Sequence, residues 1–179
     1  DFTDILNMEN LIYADAVEIY KCDSIINMNI QSSICELKLS SCSKIKDISA
    51  FRLIHALTIH SCDHVKDISM LTSNNTLNIS YSLAKTNKTK KTQRIRDVGN
   101  LREIKKLTIN TDMDGVHLLY KLEELTIYKL HSTYDITKKM KRRIKKLKKI
   151  NPNVKIMIES ETLDVLRIMS GMAHWGFSD

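Results

Sequence analysis

Residues 41–49 read SCSKIKDIS and residues 61–69 read SCDHVKDIS, nearly the same phrase after a step of 20. Sliding the whole chain by that step aligns Val17, Leu37, Leu57 and Leu77 in one column and Ile19, Leu39, Ile59 and Ile79 in a second. Cys22, Cys42 and Cys62 form a third, followed by Ile25, Ile45 and Val65 and then by Met28, Ile48 and Ile68. A fixed period of this length marks a chain built from one stacked unit. The opening Phe2-Thr3-Asp4-Ile5 matches Ile45-Lys46-Asp47-Ile48, which predicts that the chain begins midway through a unit. Ile95-Arg96-Asp97-Val98 repeats that phrase after an insertion, and 104–109, 122–127 and 154–158 repeat the apolar phrase that precedes it.

Within each unit the letters change period. Glu36-Leu37-Lys38-Leu39-Ser40 alternates polar and apolar, as a half-buried strand does. Ile45, Ile48 and Phe51 then step by three, which suits a 3₁₀ or short helical return. One strand and one tight return cannot bury their apolar side chains alone. Stacked on like neighbours about 4.8 Å away, they make a parallel sheet over a continuous core. The chain has only four Gly and one Pro, so it must bend gradually and not by glycine-rich hairpins. The expected class is α/β, with short returns behind a parallel sheet over 1–160 and a helical cap or tail over 161–179.

The phrase Leu37-x-Leu39-x-x-Cys42-x-x-Ile45-x-Asp47-Ile48 resembles the leucine-rich repeat, with Cys where that family places Asn. Its Ile-x-Asp-Ile-Ser ending is similar to the subtype found in internalins and in a phosphatase regulator. The resemblance spans roughly residues 2–130. It implies a curved solenoid that binds a protein through its concave sheet. Residues flanking the apolar strand positions would then face the partner. They are Lys38, Thr58, Asn78, Lys106, Thr108 and Thr126, with Tyr20, Ser40, His60, Asn110 and Tyr128 at the strand ends. Tyr20, His60 and Tyr128 carry most weight, because amphipathic and aromatic side chains often anchor interfaces.

Charge divides the chain. Residues 1–80 carry six basic and ten acidic side chains, and residues 81–179 carry twenty-two and eleven. The excess favours an acidic partner for the C-terminal half. It gathers first in the insertion 81–94, with Lys85, Lys88, Lys90, Lys91 and Arg94, which reads as a surface loop. The second cluster is KKMKRRIKKLKK at 138–149, including Lys139, Arg142, Arg143 and Lys146. Ile136, Met140, Ile144, Leu147 and Ile150 give that segment a helical apolar stripe, so a helix is predicted over about 135–150. The loop 85–96 and this helix offer an alternative function, binding to the phosphate backbone of a nucleic acid. Trp175 and Phe177 lie where a cap is expected, and could instead reach another chain.

The three cysteines of the repeat are expected to be buried thiols bonding the turn backbone. A spacing of 20 does not converge on a metal, and stacked side chains point alike and not at one another. Such thiols favour a reducing compartment, cytosol or nucleus. The sequons Asn74-Asn75-Thr76, Asn78-Ile79-Ser80 and Asn87-Lys88-Thr89 keep a secreted or surface protein as the alternative. No apolar run is long enough to span a bilayer. Asp47, Asp67 and Asp97 recur with the repeat and are expected to hold turns, not to move protons. No phosphate loop, HExxH or nucleophile elbow occurs, so neither a cofactor nor an enzyme activity is expected.

Overall fold

A computed structural model describes residues 4–5, 14–22, 24–25, 34–42, 44–81, 95, 97–110, 113–129 and 136–160. Along the chain run β1 (Asp4–Ile5), β2 (Ala16–Tyr20), β3 (Ser24–Ile25), β4 (Glu36–Ser40), β5 (Ala56–His60) and β6 (Thr76–Ser80). They are followed by β7 (Lys106–Ile109), β8 (Glu124–Lys129), α1 (Lys138–Ile150) and β9 (Lys155–Ser160). Seven strands form one parallel sheet in the order β2-β4-β5-β6-β7-β8-β9, each beside its successor in that series. The pairing register places Val17, Leu37, Leu57, Leu77, Leu107, Leu125 and Ile156 in one row. Ile19, Leu39, Ile59, Ile79, Ile109, Ile127 and Ile158 form the next inward row. The columns visible in the letters are therefore rows of the sheet.

The returns complete the core with a second period. Four residues spaced by three turn inward in each unit: Ile45, Ile48, Phe51 and Ile54, then Val65, Ile68, Leu71 and Asn74. Ile95, Val98, Leu101 and Ile104 do the same, as do Met113, Val116, Leu119 and Leu122. Ser49–Leu53 and Val116–Leu118 are 3₁₀ turns, as steps of three require. Asn74 is the one polar residue in these sets. Its amide donates to Phe51 O at 3.2 Å and to Ile54 O, tying one unit to the one before.

The repeated phrase is the hinge of each unit. Lys21, Ser41 and Ser61 follow their strands with φ of 52°, 57° and 51°, a left-handed turn that reverses the chain without glycine. Their N–H groups extend the ladder, from Lys21 to Ser40 O, Ser41 to His60 O and Ser61 to Ser80 O. Cys22, Cys42 and Cys62 come next and are buried thiols. Cys42 Sγ lies 3.6 Å from Ile19 O, and Cys62 Sγ 3.6 Å from Leu39 O, each in the preceding unit. A hydrogen bond with Cys42, then burial, pushes the Cys62 thiol far above its ordinary range, so it stays protonated. Asp47 and Asp67 each accept from a backbone N–H two residues on, Ser49 and Ser69, at 2.8 Å. Asp97 does so from Gly99 at 2.8 Å. The aspartates hold turns, as the repeat predicts.

Two expectations shift. Asp4 and Ile5 pair with Ser24 and Ile25, so Ile5 keeps the constant step of 20 and stands in the column of Ile45. The likeness of its letters to Asp47-Ile48 was three places out of register. The helix spans 138–150, not 135–150, because Thr137 caps it: its Oγ1 accepts from Met140 N at 3.1 Å. The tail 161–179, with Trp175 and Phe177, lies outside the described residues.

Candidate interaction surfaces

Seven strands in register leave a row of side chains on the face opposite the core. Its middle column is Glu18, Lys38, Thr58, Asn78, Thr108, Thr126 and Met157. Glu18 is exposed, Lys38, Thr58, Asn78, Thr108 and Met157 are half-buried, and Thr126 is buried. Beside it run Glu36, Thr76, Lys106 and Glu124, of which Lys106 is exposed. Lys38 Nζ lies 3.7 Å from Glu36, a solvent-exposed pair worth little stability but able to set the sign of the local surface. Lys38, Thr58, Asn78, Lys106 and Thr108 thus lie together on an accessible strip.

The strand-end column departs from expectation. Ser40, His60, Ser80 and Asn110 are buried at 1%, 6%, 0% and 3% exposure. They occupy the last strand residue or its equivalent, next to the turn, and His60, Ser80 and Asn110 bond one another or its backbone. His60 Nδ1 lies 2.8 Å from Ser80 Oγ, and its Nε2 is 3.3 Å from Ser61 Oγ. Burial lowers the pKa of His60, so the imidazole is held neutral. Asn110 accepts from Tyr81 N and donates to Tyr81 O, both at 3.0 Å, extending the ladder by a side chain. His60 and Asn110 are therefore internal fastenings, and Ser40 and Thr126 are also covered. Tyr20 is 48% exposed at the end of β2, with Lys21 Nζ 5.1 Å from its ring centroid, and Tyr128 is half-buried.

Tyr81 is the residue that sequence reasoning missed. It is fully buried, and its hydroxyl accepts from Ile95 N at 2.9 Å. It therefore ties the start of the basic insertion to the point where the chain rejoins the repeat. Its hydrogen bonds with Asn110 and Ile95 distinguish it, and neither Tyr81 nor Asn110 departs visibly from pattern. Lys85, Lys88, Lys90, Lys91 and Arg94 lie outside the described residues.

The helix α1 forms the second surface. Met140 and Leu147 enter the core and α1 packs on the 116–118 turn, so its basic face points away from the outer face of the sheet. Lys139, Arg142 and Lys146 are exposed with Lys138, Lys141, Lys145, Lys148 and Lys149. Arg143 corrects the predicted patch: it is 7% exposed and turned inward, paired with Asp114. Lys139 Nζ also reaches Asp114, at 3.3 Å. Ile150 corrects the predicted stripe, being 55% exposed at the helix end. There Asn151 takes over, its N–H bonding Leu147 O at 2.8 Å and its amide Leu122 O at 2.5 Å.

Asp114 belongs to a tightly built junction. Val98 N–H donates to Asp114 O at 3.0 Å, and Gly115 sits against Asp97 and Gly99 with φ of 77°. Exposed cross-unit pairs continue it, Lys121–Glu103 at 2.5 Å and Lys105–Glu123 at 3.3 Å. Among the described residues, no group of three His, Cys, Asp or Glu gathers as a metal site, and no helix is long and apolar enough to cross a membrane. No protein-family model, no curated protein and no solved structure matches this chain.

Proposed function

We propose that the chain is a leucine-rich-repeat solenoid and a non-catalytic module that binds a partner protein on the outer face of its parallel sheet. The observation that carries this reading is the strip of Lys38, Thr58, Asn78, Lys106 and Thr108, accessible along successive strands, with Tyr20 at its end. Such a row offers a rigid, extended surface whose side chains cost little to order on binding. The partner contacts run along this row, with Tyr128 at the far end, and exclude the buried Ser40, His60, Asn110 and Thr126. Affinity capture from the source cell tests it, comparing wild type with Thr58→Arg/Thr108→Arg and with Lys141→Glu/Lys145→Glu on α1. Proteins lost only with the first variant support the reading; the same set captured by both variants and wild type overturns it.

A second reading is favoured by one observation: eight cations of α1 reach solvent while Met140 and Leu147 are spent in the core. On this reading α1 grips the phosphate backbone of a nucleic acid, and affinity falls steeply with salt. Neutralising α1 abolishes such binding, and a salt-independent affinity refutes it. Buried free thiols at Cys22, Cys42 and Cys62 support residence in the cytosol or nucleus. A secreted form would need a glycan elsewhere than Asn74, whose amide is wholly buried and committed to Phe51 and Ile54.

A further inference from the structure

The sheet ends at β9 on an edge that no described residue covers: β9 pairs with β8 on one side alone. Lys155 N–H donates to Glu123 O at 2.9 Å. Backbone groups of successive strand residues point to alternate sides, so Lys155, Met157 and Glu159 direct theirs at β8. Ile156, Ile158 and Ser160 direct theirs at the open edge. The inward rows are also left unfinished here. Ile158 is 44% exposed and Ile156 half-buried, whereas Ile127 and Leu125 beside them are 4% and 0% exposed. An open edge with uncovered apolar side chains is a template for a further strand.

The sequence of that edge, Lys155-Ile156-Met157-Ile158-Glu159, is its own complement. In an antiparallel pair, opposite residues must both turn their backbone groups inward or both outward. Two copies of β9 related by a twofold axis therefore overlap best with Ile156, Met157 or Ile158 on the axis. With Ile156 there, Lys155 faces Met157; with Ile158 there, Glu159 faces Met157. With Met157 on the axis, Ile156 faces Ile158 of the second copy, and their outward N–H and C=O groups match as hydrogen-bonded pairs. Lys155 then faces Glu159 of the second copy, twice by symmetry. The opposite edge lacks this property. Glu36 N–H bonds Asp15 O, so Ala16, Glu18 and Tyr20 turn outward there, and the fullest self-overlap of β2 sets Glu18 against itself.

We propose that two copies of the chain associate through antiparallel pairing of β9 with β9 about Met157, continuing the sheet across a closed twofold interface. Sedimentation velocity of the full chain over a concentration series tests this. Wild type shows a reversible monomer–dimer equilibrium. Lys155→Glu sets like charges opposite each other at two places and weakens association on the order of tenfold or more. Glu159→Lys does the same, and the double exchange Lys155→Glu/Glu159→Lys restores association. Both side chains are exposed, so circular dichroism stays as in wild type for all three. A wild type that is monomeric throughout, a dimer that the single reversals leave intact, or a double exchange that fails to rescue would each overturn the proposal.

Discussion

Replacing Gly115 by Ala tests how tightly the last units are stacked. Gly115 has a φ of 77°, where an L side chain costs about 1–2 kcal/mol. Its new Cβ would also collide with Asp97 Oδ1 and Gly99 N, and would approach Gly99 Cα to 2.5 Å. Two of those atoms are backbone, so no rotamer change relieves them, and the 97–99 turn must move. That movement strains or breaks the bonds from Gly99 N to Asp97 Oδ1 at 2.8 Å and from Val98 N to Asp114 O at 3.0 Å. Losing two hydrogen bonds at about 1 kcal/mol each, on top of the backbone cost, gives a total of about 3–4 kcal/mol. Gly99→Ala is the internal control. Its Cβ meets Leu118 Cδ1 at 3.0 Å, the tip of a half-exposed side chain, and Asp97 Oδ1 and Gly115 Cα at 3.2 Å, with no left-handed φ to strain, so about 1–2 kcal/mol is expected. Urea denaturation followed by circular dichroism measures both. An equal loss in the two variants would refute the reasoning, because it would mean that Gly115 meets no greater obstruction than Gly99 does.

Three further outcomes follow from the turns and the helix. Backbone hydrogen bonds from Ser49 and Ser69 chiefly hold the Asp47 and Asp67 carboxyls below their ordinary range. Their contribution is present above about pH 3.9 and lost as the pH falls through the lower folded value, so the acid slope of the melting temperature should flatten in Asp47→Asn/Asp67→Asn. Burial lowers the pKa of His60, so its neutral form stabilises the fold above about pH 6.5 and that stability is lost as the pH drops below it. His60→Asn should lack this step in a pH series of thermal melts. Asp114→Ala strands the buried Arg143 without its carboxylate and should cost about 2 kcal/mol, less than for a fully buried pair because Asp114 is half-exposed. Arg143→Met should cost less than Asp114→Ala in the same urea titration, and the reverse order would contradict the inward placement of Arg143.

The letters carried the sheet but not everything on it. Leu37, Leu39 and their counterparts were legible because strand alternation and a constant step of 20 agree. Ile45, Ile48 and Phe51 were legible because a return in steps of three leaves one side chain inward per turn. Ser40, His60 and Asn110 were misread as accessible. Alternation does place them on the outer face, but it says nothing of the turn that follows, against which His60 and Asn110 are bonded. Arg143 was misread because a periodicity search counts apolar letters, and an inward cation is explained only by Asp114, which lies 29 positions away. Ile5 was misplaced because a short local match was preferred to the step of 20 that parallel pairing enforces. The occupant of the outer strip was never legible, since a repeat specifies the stacking of its units and leaves the exposed letters free.

The claim that the outer strip binds protein is tested most directly by where a partner touches it. A photo-crosslinking residue at Thr58 or Thr108, compared with one at Arg142 on α1, can be activated in extracts of the source cell. A shared protein adduct from Thr58 and Thr108, absent from Arg142, is the predicted result. Adducts from Arg142 alone would contradict it.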